Sequence, residues 1–216
     1  GLCYHVCERF RFVEGFAHMN QDATERSPRE RLYDVAERQA GSFTTSQAKE
    51  AGFSSSQLTY HVRSGRFIRV RWGIYRLTHF PATPYEDLFV AWLAAGPDAV
   101  ISHDSALALY DLSDALPARI HVTVPRSASR RRPGLALHTN QLDPEEVTTV
   151  EGLPVTTVSR TIADVASSGL AEEQVIQAAQ QAVERGMVSK ADLRSYAEER
   201  GGSTRRWIHR ALEGAA

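Results

Sequence analysis

The chain has 216 residues, 42% apolar and 24% charged side chains, and a formal net charge of −1, a composition that excludes disordered, collagenous and membrane-embedded classes. No apolar run approaches the roughly 20 residues needed to cross a bilayer, and Glu8, Arg9, Arg11 and Glu14 interrupt any signal-peptide core. A cytoplasmic protein with no membrane partner is expected. The near-neutral total conceals a division: residues 28–80 carry nine Arg/Lys against four Asp/Glu, a net of +5, while residues 81–216 carry thirteen against eighteen, a net of −5. A basic module joined to an acidic one is the charge pattern of a nucleic-acid binder with a second domain of different purpose. Only Lys49 and Lys190 among the cations are lysines, so the positions of the arginines carry more weight than their number.

Residues 1–26 read as a leader without structure of its own. Both cysteines, Cys3 and Cys7, lie there, which leaves the body without a disulfide framework and fits a reducing compartment. Cys3, His5, Cys7 and His18 form no finger spacing, so no metal is expected. Met19 before the polar run Asn20 to Arg26 resembles an alternative translation start, which would make residues 1–18 dispensable.

Residues 27–80 spell three successive capping boxes, each a Ser/Thr followed three residues later by Glu/Gln. Ser27 with Glu30 opens a first helix, with Pro28 at the first helical position, and Gly41 closes it. Thr44 with Gln47 opens a second, very short helix stopped by Gly52. Ser54 with Gln57 opens a third of about ten residues, in which Phe53 and Leu58 form a hydrophobic staple. A short helix, a glycine turn and a capped helix is the helix-turn-helix arrangement. On the third helix Leu58 and Val62 share the inner face, which turns Ser56, Thr59, Tyr60 and Arg63 outward on a surface without a carboxylate, and Ser55 and Gln57 in its first turn are further candidate DNA contacts. Arg63 is able to pair with guanine O6 and N7, and the shorter side chains reach base edges or phosphates. Beyond Arg66, residues 67–77 alternate around Trp72-Gly73, with Ile68 and Val70 on one side and Arg69 and Arg71 on the other. That is a basic β-hairpin, and after a recognition helix it reads as a wing whose Arg69, Arg71, Trp72 and Arg76, with Arg66 just before it, face DNA.

Pro81 and Pro84 mark a linker into residues 81–216. Thr83 with Glu86 predicts a capped, largely buried helix through Ala95, and Ser102 the cap of another through Leu112. Strands are expected at 120–124, 135–139, 147–150 and 153–156, then helices near 159–167, 171–185, 190–200 and 204–213. The fold class is α+β: an N-terminal winged helix-turn-helix domain followed by a mixed sheet with helices. No phosphate loop, H-E-x-x-H or nucleotidyltransferase signature is present. Ser102-His103-Asp104 holds the residue types of a nucleophile triad, but sequence neighbours at one helix start cannot take the three roles, and a cap explains them. His121 and His138 read as sheet residues. No catalytic residue, cofactor or metal is expected. Arg126, Arg130, Arg131 and Arg132 lie between two strands, either as a solvated hairpin loop or as a second phosphate or partner contact.

The run Thr44-x-x-Gln47-Ala48-x-x-Ala51-Gly52-Phe53-Ser54, continued by Leu58-x-x-x-Val62-x-x-Gly65-x-Phe67-x-Arg69-Val70-x-x-Gly73-Ile74-Tyr75, resembles the winged-helix domain of the AbiEi antitoxin family. The resemblance continues through Ile101-Ser102-His103-x-Ser105-Ala106-Leu107, Ile120-His121-Val122-Thr123-Val124-Pro125, Gly152-Leu153-Pro154-Val155-Thr156-Thr157 and Arg160-Thr161-Ile162-Ala163-Asp164. It implies the antitoxin half of a type IV toxin–antitoxin module, repressing its own operon by binding inverted repeats in promoter DNA. It further implies a nucleotidyltransferase-like toxin countered functionally rather than through a stable complex, or an orphan regulator. Relatives with an endonuclease-like extension exist; the sequence ends at Ala216 without one, so a nuclease role does not carry over. Two rivals remain open: a nucleic-acid-processing enzyme using His103, Asp104 or Asp164, and a repressor whose second domain binds a small ligand.

Overall fold

The structure is a computed structural model that describes residues 26–112, 117–128, 130 and 132–213. The leader with its Cys3, His5, Cys7, His18 cluster and Met19 lies outside the described residues, as does Arg131. The chain divides into two compact units between Phe80 and Pro81.

The first unit runs α1 (Pro28–Glu37), β1 (Ser42–Thr44), α2 (Thr45–Glu50), α3 (Ser55–Arg63), β2 (Phe67–Arg71) and β3 (Ile74–Leu77). All three capping boxes form. Ser27, Thr44 and Ser54 accept from the backbone N–H of Glu30, Gln47 and Gln57 at 3.3, 3.2 and 3.2 Å, and those side chains accept in return at 2.7, 2.8 and 2.7 Å. Each box satisfies two of the N–H groups a helix start leaves without intrahelical partners. The apolar positions then converge: Leu32, Ala36, Phe43, Ala48, Phe53, Leu58 and Phe67 form one core, with Val62 and Tyr75 packed on it. Phe43 sits at its centre, edge-on to Phe67 at 5.0 Å and stacked on Tyr75 at 5.8 Å. Gly41, at φ +79°, leaves room for the Phe80 ring, which a Cβ would approach to 2.5 Å.

Two features of this unit differ from expectation. A three-residue strand, β1, pairs antiparallel with β3 and makes the hairpin a three-stranded sheet of order β1-β3-β2. The regular alternation expected along β2 also stops at a bulge between Arg69 and Arg71, because two residues there face one on β3. Phe67 is the apolar side chain of β2 that reaches the core, while Ile68 and Val70 stay 46% and 44% exposed.

The second unit contains α4 (Glu86–Ala95), β4 (Val100–Ile101), α5 (His103–Leu109), β5 (Ile120–Thr123), β6 (Leu135–His138), β7 (Val147–Val150), β8 (Leu153–Thr156), α6 (Val158–Ser168), α7 (Glu172–Glu184), α8 (Lys190–Arg200) and α9 (Gly202–Glu213). The strands form a mixed sheet of order β6-β5-β4-β8-β7. Both β4/β8 and β5/β6 pair parallel, while β4/β5 and β7/β8 pair antiparallel. Ile101, Val122, Leu153 and Val155 from the sheet are buried with Ile162, Val165, Val175, Leu193 and Ile208 from the helices.

Three features of this unit also differ from expectation. The Thr83 box is only half made: α4 begins at Glu86, whose side chain accepts from the Thr83 N–H at 3.2 Å, while the Thr83 hydroxyl makes no return bond. Ser102 occupies the cap position of α5 without capping it, and α5 ends at Leu109 rather than Leu112. The basic loop is not a hairpin turn, because β5 and β6 run parallel and the chain must cross over between them.

Candidate nucleic-acid interface

Helix α3 presents Ser55, Ser56, Gln57, Thr59, Tyr60 and Arg63 to solvent, with Arg66 exposed just beyond it, and Leu58 buries the opposite face. Local bonds already commit parts of these side chains. The Gln57 carbonyl oxygen serves the cap and leaves its amide N–H groups, the Thr59 hydroxyl donates to the Ser55 carbonyl at 2.9 Å and keeps its acceptor capacity, and Ser56 Oγ lies 2.9 Å from Ser54 Oγ. Tyr60 is 58% exposed, and the Arg66 guanidinium lies 5.9 Å from its ring centre. Between Glu50 and Glu86 the sequence holds no carboxylate and five arginines, Arg63, Arg66, Arg69, Arg71 and Arg76, so no acidic side chain within this stretch offsets their charge.

The hairpin is tied to the end of α3 where Thr78 Oγ1 donates to the Gly65 carbonyl at 2.6 Å. At its tip Trp72 is 88% exposed, and the Arg69 guanidinium lies 4.4 Å from the indole centre. Arg71 is half-buried; Arg76 is also half-buried and donates to the Phe80 carbonyl at 3.0 Å, which gives it a structural tie as well as a position on the hairpin. His61 is a residue the sequence pattern did not single out. It packs against Phe53 and Phe67 and edge-on to Tyr60. Burial, then the positive charges of Arg66 and Arg29, push its pKa down, so the ring is a neutral support beneath Tyr60. An i+1 neighbour of an outward residue carries no outward periodicity, which is why spacing alone passes it over.

In the second unit Arg126 and Arg130 are exposed, whereas Arg132 is half-buried and donates to the Ala95 carbonyl at 2.7 Å. The residues of the candidate triad do come together, with others, in a polar chain that is buried at Ser102 and His103 and half-buried at His121, His138 and Asp104. Ser102 Oγ accepts from Thr123 Oγ1 at 2.8 Å and lies 3.0 Å from His103 Nδ1. The His103 ring stacks on His138 at 3.5 Å, His138 Nε2 lies 3.2 Å from His121 Nδ1, and His121 Nε2 lies 3.4 Å from Asp104. On the far side Asp164 Oδ2 is 4.0 Å from His103 Nδ1, and Arg160 donates to Asp164 at 2.9 Å and to Glu146 at 2.5 Å. Tyr196 and Arg200 donate to the other Glu146 oxygen. A nucleophile and an orienting carboxylate must face opposite imidazole nitrogens; here Ser102 and Asp164 both face Nδ1. Ser102, His103 and Asp164 are also buried. Burial, reinforced by the neighbouring His138, His121 and Arg160, pushes the His103 pKa down to about 3, so the ring stays neutral. Among the described residues no group of three or more His, Cys, Asp or Glu is placed to hold a metal ion.

Comparison with known proteins decides the family. A model described as the transcriptional regulator AbiEi antitoxin matches residues 30–78, and one described as the AbiEi antitoxin C-terminal domain matches residues 98–213. The chain belongs to the AbiEi antitoxin family. Its fold is similar to that of the RV2827C protein from Mycobacterium tuberculosis, with a TM-score of 0.53 at 16% identity over 88% of this chain and 78% of that one. No curated protein matches it. Both units of this AbiEi chain thus carry antitoxin-family domains, of which the first is described as a regulator. Among the described residues no helix is long and apolar enough to cross a membrane.

Proposed function

We propose that this AbiEi-family chain is a sequence-specific transcriptional repressor that binds inverted repeats in its own promoter. In this reading the first unit is a winged helix: α3 lies in the major groove and the β2–β3 hairpin is the wing. The observation that carries it is the exposed, carboxylate-free face of α3 continuous with a hairpin of arginines. Arg63 is the base-reading side chain, flanked by Ser56, Gln57, Thr59 and Tyr60. Arg66, Arg69 and Arg71 contact phosphates or the minor groove, and Arg126 with Arg130 offers a second contact for phosphate or for a partner. The second unit acts in an antitoxin role toward a nucleotidyltransferase-like toxin, by function rather than by a stable complex. Burial of Ser102, His103 and Asp164 in its polar chain counts against the enzymatic rival.

The test is binding to duplex DNA from upstream of its own reading frame, compared with random duplex of equal length across a salt series. Preference for the upstream duplex is expected. Equal affinity for both at every salt concentration would remove the repressor reading.

A further inference from the structure

The least expected surface feature of the first unit is the hairpin tip. Trp72 is 88% exposed, and water is a poor environment for an indole. It is not carried on a loose turn. Gly73 supplies the positive φ of +74° that the turn needs, and its carbonyl accepts from the Thr45 backbone N–H at 2.9 Å and from Thr45 Oγ1 at 3.2 Å. The tip is therefore pinned to the start of α2, with the indole held outward. Arg69 covers one indole face at 4.4 Å and leaves the other to a partner. Ile68 and Val70 on β2 are exposed as well. A partner that fits must bring both negative charge and a flat apolar surface.

We propose that Trp72 is a base-stacking residue: its free face packs against a base at a partly opened step of duplex DNA in the minor groove, beside the Arg69 and Arg71 phosphate contacts. The inference rests on the DNA-binding reading above. It adds that the wing makes a non-electrostatic contact, and that this contact favours sites whose base steps unstack easily, such as pyrimidine–purine steps. Because Arg69 occupies one face, the indole stacks one-sidedly rather than inserting fully between two bases.

Trp92 and Trp207 are the only other tryptophans, so the variant W92F/W207F makes Trp72 the single indole reporter. The probe is the duplex from upstream of the protein's own reading frame, with 2-aminopurine placed at successive positions. Binding is expected to quench Trp72, to shield it from acrylamide, and to raise 2-aminopurine fluorescence at one step per half-site. W72A is expected to lose that local signal and about tenfold in affinity while keeping the wild-type salt slope; W72F restores part of both. If W92F/W207F does not fold, the difference between the native chain and W72A gives the same optical readout. Duplex binding with Trp72 as accessible to acrylamide as in the free protein overturns the stacking role and leaves the DNA reading standing. Absence of duplex binding overturns both. Quenching by the single strand in preference to the duplex, by anionic vesicles, or by protein concentration alone overturns it in favour of a single-strand, membrane or self-association surface.

Discussion

In the first unit the buried side chains include Leu32, Ala36, Phe43, Ala48, Phe53, Leu58, Phe67 and Ile74, with Gln39 and Ser42 the polar members among the described residues, and the arginines lie outside or at the edge. The second unit buries Ser102, His103, Thr123, Glu146, Thr156, Arg160, Thr161 and Asp164 among its apolar residues. One unit keeps its polar chemistry on the surface, where it is available to a ligand. The other spends it internally, joining α5, α6, α8 and the sheet. In this chain the polar side chains of the first unit are therefore mostly exposed, and those of the second are mostly bonded to one another.

The largest expected effect tests that contrast in the second unit. Replacing Arg160 by Leu leaves the Asp164 and Glu146 carboxylates facing an apolar side chain, and breaking a buried pair in this way costs about 3–5 kcal/mol. Thermal unfolding should fall by roughly 10 °C or more. A loss within the range of an ordinary surface substitution would mean that the polar chain does not hold the unit together.

Acid should act next, and selectively. Folded His103 resists protonation down to about pH 3, whereas its unfolded reference takes the proton near 6.5. Between those values the unfolded state binds more protons, so stability is full above pH 6.5 and is lost as the pH drops below it. From His103 alone the loss at pH 5 is about 2 kcal/mol. His121 and His138, whose pKa values burial also lowers, add to it, against the opposing charge of Asp104. His103→Asn, a residue tolerant of the positive φ of +52° at this position, should flatten the acid limb of a denaturation series. An unchanged limb would show that the stacked rings do not set it.

Smaller effects probe the first unit. Ser54→Ala removes the acceptor for the Gln57 N–H and should cost about 1 kcal/mol, readable as a shift in urea midpoint. Trp72→Ala should leave stability within about 0.5 kcal/mol of wild type, since the side chain packs on little besides Arg69. A large loss of stability there would make Trp72 part of the fold rather than part of a surface.

The same contrast explains what was legible in the sequence. Capping boxes, the staple and the hairpin are written within a few residues of one another, so the helices of the first unit and the exposed face of α3 followed directly from spacing. The strands β1 and β4 are only three and two residues long and carry no periodicity of their own. The polar chain joins Ser102 to Thr123, His103 to His138 and Arg160 to Glu146. Those partners lie on different elements, and only the parallel crossover from β5 to β6 places His121 beside His138. Ser102 read locally as a cap because nothing near it in sequence reveals that its hydroxyl is engaged by Thr123.

The proposed division of labour, in which α3 reads bases and the β2–β3 hairpin holds phosphates, separates in binding of Arg63→Ala and Arg71→Ala to upstream and random duplex across salt. Arg63→Ala is expected to lose the preference for upstream DNA, by about 1–3 kcal/mol. Arg71→Ala should instead weaken both duplexes equally and lower the salt slope by about one. Equal loss of preference in both variants, with no change of slope in either, would contradict it.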